Sequence, residues 1–436
     1  MVTRRTLLAA TAGGVVGGAV VGSTVTSLLT DPPSTPAPVD DNPEVAVDFD
    51  PEDWDSVRAQ FALAEGITNL STFYFASHPA SVRAAIERHR AGLDADPLSY
   101  ILENQYDLEN QVATAAASYM RTNRSQIAFT DSTTMGLGLL YSGLRLGPGD
   151  EVLTTEHEFY ATHEALRLRN IRDGVQVRRT RLYDESAQAN QAEMVDRLVA
   201  AIGPATRVVA LTWVHSSTGV RLPVRQMTDA IAEINQNRSE NEQILVCLDG
   251  VHGFAAEDAT PNDLGVDFLV TGTHKWLFGP RGTGLIWGST SAWSRFTPII
   301  PSFTDISGVE PGPWATPGGY HSFEHRWALA EAFEFHQAIG ARRVAERTRE
   351  LATMLKDGLA EIRSVRLHTP RDPEVSAGLV CCEVDGYGPG DAVARLRRSN
   401  IIASATPYDP SYLRFGPTIL NSEADVEAAL AAVRAM

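Results

Sequence analysis

Between residues 79 and 287, short apolar runs alternate with longer amphipathic stretches, and this alternation constrains the fold more than any other feature. Residues 126–130, 151–155, 206–213, 244–249, 267–271 and 284–287 have the apolar, β-branched content of strands. Residues 187–202 and 226–237 carry helical spacing. Strands apolar on both faces, joined by helices, imply an α/β fold with a mainly parallel sheet covered on each side. Ligands of such sheets sit beyond the carboxyl ends of the strands, so those ends are where chemistry is expected.

Past residue 292 the pattern changes. A Pro/Gly-rich stretch, 298–319, leads into helical segments 323–339 and 341–362. Strand-like 377–384 and 413–415, a helix near 389–398 and a last helix from Glu423 complete a smaller α+β domain over 293–436. Residues 54–78 are expected to return from the N-terminal side and pack on it, leaving 79–292 as the large domain. A chain of 436 residues exceeds the usual single-core size, in keeping with two domains.

The first thirty residues differ from the rest. Arg4 and Arg5 precede a small, weakly apolar run from Leu7 to Leu29, which reads as a twin-arginine export signal over 1–30. The expected location is the periplasm or cell exterior, reached through the twin-arginine machinery; an uncleaved signal acting as an anchor is the alternative. Residues 31–53 are acidic and Pro-rich and read as a disordered linker. The net charge of −17 and the lack of a basic run argue against nucleic acid. Cys247, Cys381 and Cys382 make no disulfide framework and read as structural residues.

Four strand ends carry candidate chemistry. Lys275 follows the 267–271 strand and precedes a turn with Gly279, Gly282 and Gly284, which let backbone pass close by. A buried lysine is costly unless its charge is relieved, and a Schiff base to an aldehyde cofactor does that. Asp249 ends an apolar strand and needs a cationic partner, a role suited to the protonated ring nitrogen of pyridoxal phosphate. His252, three residues on, can reach the cofactor's phenolate oxygen. Ser132, Thr133 and Thr134 stand where a strand meets a helix, an anion site fit for the cofactor phosphate. His157 can stack on the cofactor ring. A zinc reading of His157, Glu158 and His163 is weak, because the spacing does not put both histidines on one helix face. No metal is expected.

These motifs, Ser-Thr-Thr, Thr-Glu-His, His-Ser-Ser-Thr-Gly, Asp-Gly-Val-His and Gly-Thr-His-Lys-Trp, each at a strand end and in this order, resemble the class V aminotransferase family of fold type I. The resemblance spans about residues 69–434 and implies a PLP-dependent transferase fold. It makes Lys275 the cofactor lysine, Asp249 the ring-nitrogen partner and His157 the stacking residue. It places His252 near the phenolate, Thr133, Thr134 and His274 at the phosphate, and Ser216 by the ring. Arg414 matches the segment that clamps a substrate α-carboxylate. The segment 317–322 matches one that reaches a neighbouring subunit's phosphate, implying a homodimer with shared sites and Tyr320 as the contact. Two departures stand out. Gly272 replaces a small polar residue that often binds phosphate. The loop before Arg414 lacks the cysteine of the family's desulfurases, so persulfide chemistry has no nucleophile. Trp276 and the Arg414 segment look nearest to the isopenicillin-N-epimerase-like branch. The expected activity is therefore at the α-carbon of an amino-acid-like small molecule, as a transaminase or epimerase. A β/γ-elimination or C–S lyase is the alternative within the class. A non-catalytic exported binding protein is the alternative outside it, disfavoured because pure binding needs neither Lys275 nor Asp249.

Overall fold

The computed structural model describes residues 48–436 other than 304, 306, 307 and 309. The twin-arginine segment and most of the linker lie outside the described residues. The packed chain already begins before Asp53: Phe49 stacks on Phe335, with ring centroids 5.0 Å apart.

Strand β1 (Thr68–Asn69) precedes the main sheet in the chain and is not part of it. That sheet contains β2 (Ile127–Thr130), β3 (Glu151–Thr155), β4 (Gln176–Thr180), β5 (Thr206–Thr212), β6 (Leu245–Asp249), β7 (Phe268–Gly272) and β8 (Gly284–Gly288). Its order is β2-β8-β7-β6-β5-β3-β4, and only β8 runs against the others. Successive residues along the central strands feed two separate apolar layers. Val209, Leu211, Val246, Leu248 and Leu269 pack into one, with the helices Gln191–Ala201, Val224–Asn235 and Leu329–Ile339. Val208, Ala210, Cys247, Phe268 and Val270 pack into the other, with Thr133–Gly143 and Tyr160–Asp173. Burial on both faces is why these strands read as continuous apolar runs.

A four-stranded antiparallel sheet follows: β9 (Val365–Leu367), β10 (Val380–Val384), β12 (Ser404–Ala405) and β13 (Leu413–Phe415), in the order β12-β13-β10-β9. The short β11 (Ile401–Ile402) pairs in parallel with β1, which brings the N-terminal segment onto this sheet. Leu70 shares its core with Leu355, Val380, Phe415 and Val426.

Two features depart from expectation. Strand β4, Gln-Val-Arg-Arg-Thr, is an edge strand that pairs only with β3, so its side chains other than Val177 are polar and its apolar signal is weak. The expected single helix over 323–339 is two helices, Phe323–Trp327 and Leu329–Ile339, meeting at Ala328.

Candidate active site

The carboxyl ends of β2, β3, β5, β6 and β7 converge on one edge of the sheet, because those strands run in one direction. Each delivers one of the residues singled out by sequence.

Lys275 lies three residues beyond β7, half-buried, with Nζ 3.2 Å from His252 Nε2. The chain has two lysines, Lys275 and Lys356. Lys356 is sealed in the small-sheet region, donating to Pro370 O, Arg371 O and Ser376 Oγ. Lys275 is thus the lysine open to an aldehyde. Burial lowers its pKa while the Asp249 carboxylate works against that shift. A lowered pKa keeps more of the amine in its nucleophilic form.

Asp249 closes β6 and is buried. Its Oδ1 accepts from Val251 N–H at 3.0 Å, while Oδ2 accepts no hydrogen bond from the described residues. Burial raises its carboxyl while the Lys275 charge works against that shift, and no salt bridge to it forms among the described residues. A buried carboxylate with one oxygen unused is a site for a cation, and a protonated pyridine nitrogen meets that need.

His252 has its tautomer set by a neighbour. Trp276 Nε1–H donates to Nδ1 at 3.2 Å, so the ring proton of the neutral imidazole sits on Nε2. Burial drives the pKa well down and keeps the ring neutral. Nε2–H therefore points a donor at the Lys275 side of the site.

The phosphate end is drawn by unsatisfied atoms. Thr133 Oγ1 and His274 Nδ1 are buried without partners. A Cβ placed on Gly272 would lie 2.9 Å from the first and 3.1 Å from the second. Two orphan polar atoms therefore converge beside a position where any added side chain would press on both. The helix that begins at Thr133 adds its N-terminal dipole. Ser132 Oγ caps this helix, accepting from Met135 N–H at 3.1 Å, and Thr134 is exposed.

His157, two residues past β3, stacks one face on Tyr183 at 3.9 Å and 11°. Burial lowers its pKa to about 4, and Nε2 has no partner. Ser216, beyond β5, and Arg414, on β13, meet directly: Arg414 Nη1 donates to Ser216 O at 2.9 Å. Arg414 Nε donates to Ser404 Oγ at 3.2 Å, and its guanidinium lies 4.9 Å from the Phe73 ring centroid. Among the described residues no carboxylate pairs with this buried arginine, and Asp409 on the preceding loop is exposed. Tyr320 stands apart, 86% exposed.

Two residues have places in the site that their sequence positions do not disclose: Glu158, considered above only as a zinc ligand, and Tyr408. Glu158 is buried behind His157, taking hydrogen bonds from Thr155 Oγ1 at 2.7 Å and from Thr212 Oγ1. Both of its oxygens are thus committed, and His163 Nε2 is bound to Thr155 O at 2.8 Å, so neither is poised as a zinc ligand. Tyr408, on the loop between β12 and β13, has its hydroxyl 2.5 Å from Ser216 Oγ. Its position shortly before Arg414 was the available signal; the contact itself is tertiary.

The family description Aminotransferase class-V matches residues 101–407. Isopenicillin N epimerase of Streptomyces clavuligerus is 26% identical over 395 residues, covering 86% of this chain and 96% of that protein. A cysteine desulfurase of Haloferax volcanii is 24% identical over 294 residues, 65% of each chain. The cystine C-S lyase C-DES, solved with its product cysteine persulfide, shares the fold at a TM-score of 0.77 and 22% identity, over 85% of this chain and 98% of that one. A C-DES mutant with glycine covalently linked to the PLP cofactor gives 0.78 at 22% identity, covering 86% and 98%.

Proposed function

This chain belongs to the class V aminotransferase family of PLP-dependent enzymes, and from that premise we propose that it moves a proton at the α-carbon of an amino acid or amino-acid-bearing metabolite, as an epimerase or transaminase does. When bound, pyridoxal phosphate supplies an electron sink for the pair left on that carbon. In this reading Lys275 Nζ would hold the cofactor aldehyde and would carry the proton at the substrate carbon. Asp249 Oδ2 would pair with the ring nitrogen. His252 Nε2–H would donate to the phenolate oxygen. Thr133 and His274, with Ser132 and Thr134 at the same helix start, would hold the phosphate. His157 would cover the ring, and Ser216 would border it.

The observation that carries the substrate class is Arg414, a buried guanidinium with no carboxylate partner among the described residues. An uncompensated buried charge costs several kcal/mol, roughly 3–5 when one partner of a pair is missing, so this fold keeps a place for an anion. A planar α-carboxylate fits the fork. Sulfur transfer is disfavoured: Cys247, Cys381 and Cys382 are all buried, and burial pushes each thiol up, away from the thiolate. Two isopenicillin N epimerases, 26% and 24% identical over 86% of this chain, support the epimerase form of this reading.

Incubation with an amino-acid panel in deuterated water, read by mass spectrometry and chiral chromatography, tests this. Deuterium at Cα with inversion marks an epimerase, a keto acid marks a transaminase, and loss of the β- or γ-substituent marks the lyase alternative. No change in any amino acid would overturn the reading. We further propose a homodimer with Tyr320 reaching the partner's phosphate site. Leu98, Leu102 and Tyr106, 68%, 60% and 77% exposed at four-residue spacing on one helix, support it as an uncovered apolar stripe. Export through the twin-arginine machinery completes the proposal.

A further inference from the structure

We propose that Tyr408 is a second proton-carrying residue, acting on the substrate α-carbon from the flank of the site opposite Lys275. The inference rests on the reading above, that the chain acts at the α-carbon of amino acids. Its basis is the strand order β7-β6-β5, which puts Asp249 between the strand that delivers Lys275 and the strand that delivers Ser216. Neighbouring strands lie about 4.8 Å apart, so the ends of β7 and β5 stand about 10 Å apart across β6. A flat ring paired with the Asp249 carboxylate would stand between these two flanks.

Each flank carries one proton donor. On the β7 side, Lys275 Nζ meets His252 Nε2 at 3.2 Å. On the β5 side, the Tyr408 hydroxyl meets Ser216 Oγ at 2.5 Å, with the Phe159 ring packed edge-on at 6.1 Å. The same Ser216 accepts from Arg414 through its carbonyl. A carboxylate seated on Arg414 has Cα as its next atom, which sets that carbon beside the phenol. Burial pushes the phenol's pKa up, so it remains protonated at neutral pH and available as an acid.

Inversion at carbon requires removal of a proton on one side and its return on the other. The Cα–H bond breaks toward Lys275 Nζ, and its electron pair stays with the carbon. The Tyr408 O–H bond then breaks, giving its proton to Cα and keeping the pair as phenolate. Ser216 relays a solvent proton back to the phenolate while Lys275 releases its own, so the residues return to their starting states with no net gain or loss.

Glycine is the probe, because it presents one α-hydrogen to each flank. The holoenzyme and Tyr408→Phe are incubated with glycine in deuterated water, and exchange of the pro-R and pro-S hydrogens is followed by NMR. Glycine-induced absorbance change is titrated alongside as a binding readout, with melting temperature as the check on folding. The wild type should exchange both hydrogens. Tyr408→Phe should slow one of them by about 100-fold or more, the scale of a lost general acid or base, and leave the other and the half-saturation unchanged. Unchanged relative exchange in the variant overturns the inference, and so does weakened glycine binding with the exchange ratio intact, which would make Tyr408 a carboxylate-binding group only. A wild type that exchanges a single hydrogen overturns it while leaving the proposed function standing. Neither exchange nor absorbance change in the wild type overturns both.

Discussion

Gly272→Ala is the sharpest test of the phosphate cradle. The added Cβ would lie 2.9 Å from Thr133 Oγ1 and 2.9 Å from His274 Cε1, whereas ordinary contacts begin near 3.4 Å. Each neighbour must therefore retreat by about 0.5 Å, the difference between those distances. Thr133 is fixed by a helix start and His274 by its chain position just past β7, so the retreat spreads the two atoms proposed to grip the phosphate. Overpacking of this kind costs about 1–3 kcal/mol. If that cost falls on cofactor binding, Kd for pyridoxal phosphate rises about 5- to 150-fold. Gly272→Ser should do no better, because its hydroxyl arrives on the same Cβ. The assay is absorbance titration of apoenzyme with pyridoxal phosphate, paired with melting temperatures of apo and loaded protein. Unchanged cofactor affinity with a lowered apo melting temperature would refute the reasoning, since the clash would then be borne by the fold and not by the ligand.

Arg414→Lys should keep the cofactor spectrum but weaken amino-acid-induced spectral shifts by about 10- to 150-fold, the worth of about 1.5–3 kcal/mol for charged hydrogen bonds; unchanged shifts with a lower melting temperature would make Arg414 structural. Burial raises Glu158 to about 7, above its unfolded value, so its contribution to stability is present at low pH and is lost as pH rises through 7. Glu158→Gln in the apoprotein should accordingly gain stability relative to wild type between pH 5 and pH 8.5, by about 3 kcal/mol at most, read from denaturant unfolding at each pH; a flat difference would contradict the burial argument. Replacing both Arg4 and Arg5 by lysine should strand the full-length protein in the cytoplasm, as cell fractionation would report; unaltered export would remove the twin-arginine reading.

What the sequence disclosed and what it hid follow from burial and distance. Strands β5, β6 and β7 are covered on both faces, so their apolar runs were legible within a residue or two of their ends. Strand β4 was hidden because an edge position lets Arg178 and Arg179 stand in a strand. Lys275, Asp249, His252 and His157 were legible because each follows a recognisable strand, and the parallel topology does the rest. Glu158 and Tyr408 were not, for a different reason. Glu158 is defined by Thr212, 54 residues away, and Tyr408 by Ser216, 192 residues away. No local pattern encodes those pairings. Gly272 looked like a missing ligand in sequence; that an added Cβ there would meet Thr133 Oγ1 and His274 is visible only in the fold.

The central claim is that Lys275 carries the cofactor, and the composition makes it unusually easy to test. With two lysines in the chain, borohydride reduction of the purified protein followed by peptide mass mapping has only two possible lysine outcomes. The account predicts the reduced cofactor's mass on the peptide containing Lys275, none on the peptide containing Lys356, and loss of the label in Lys275→Ala. Label on Lys356, or an unmodified protein after incubation with added pyridoxal phosphate, would contradict it.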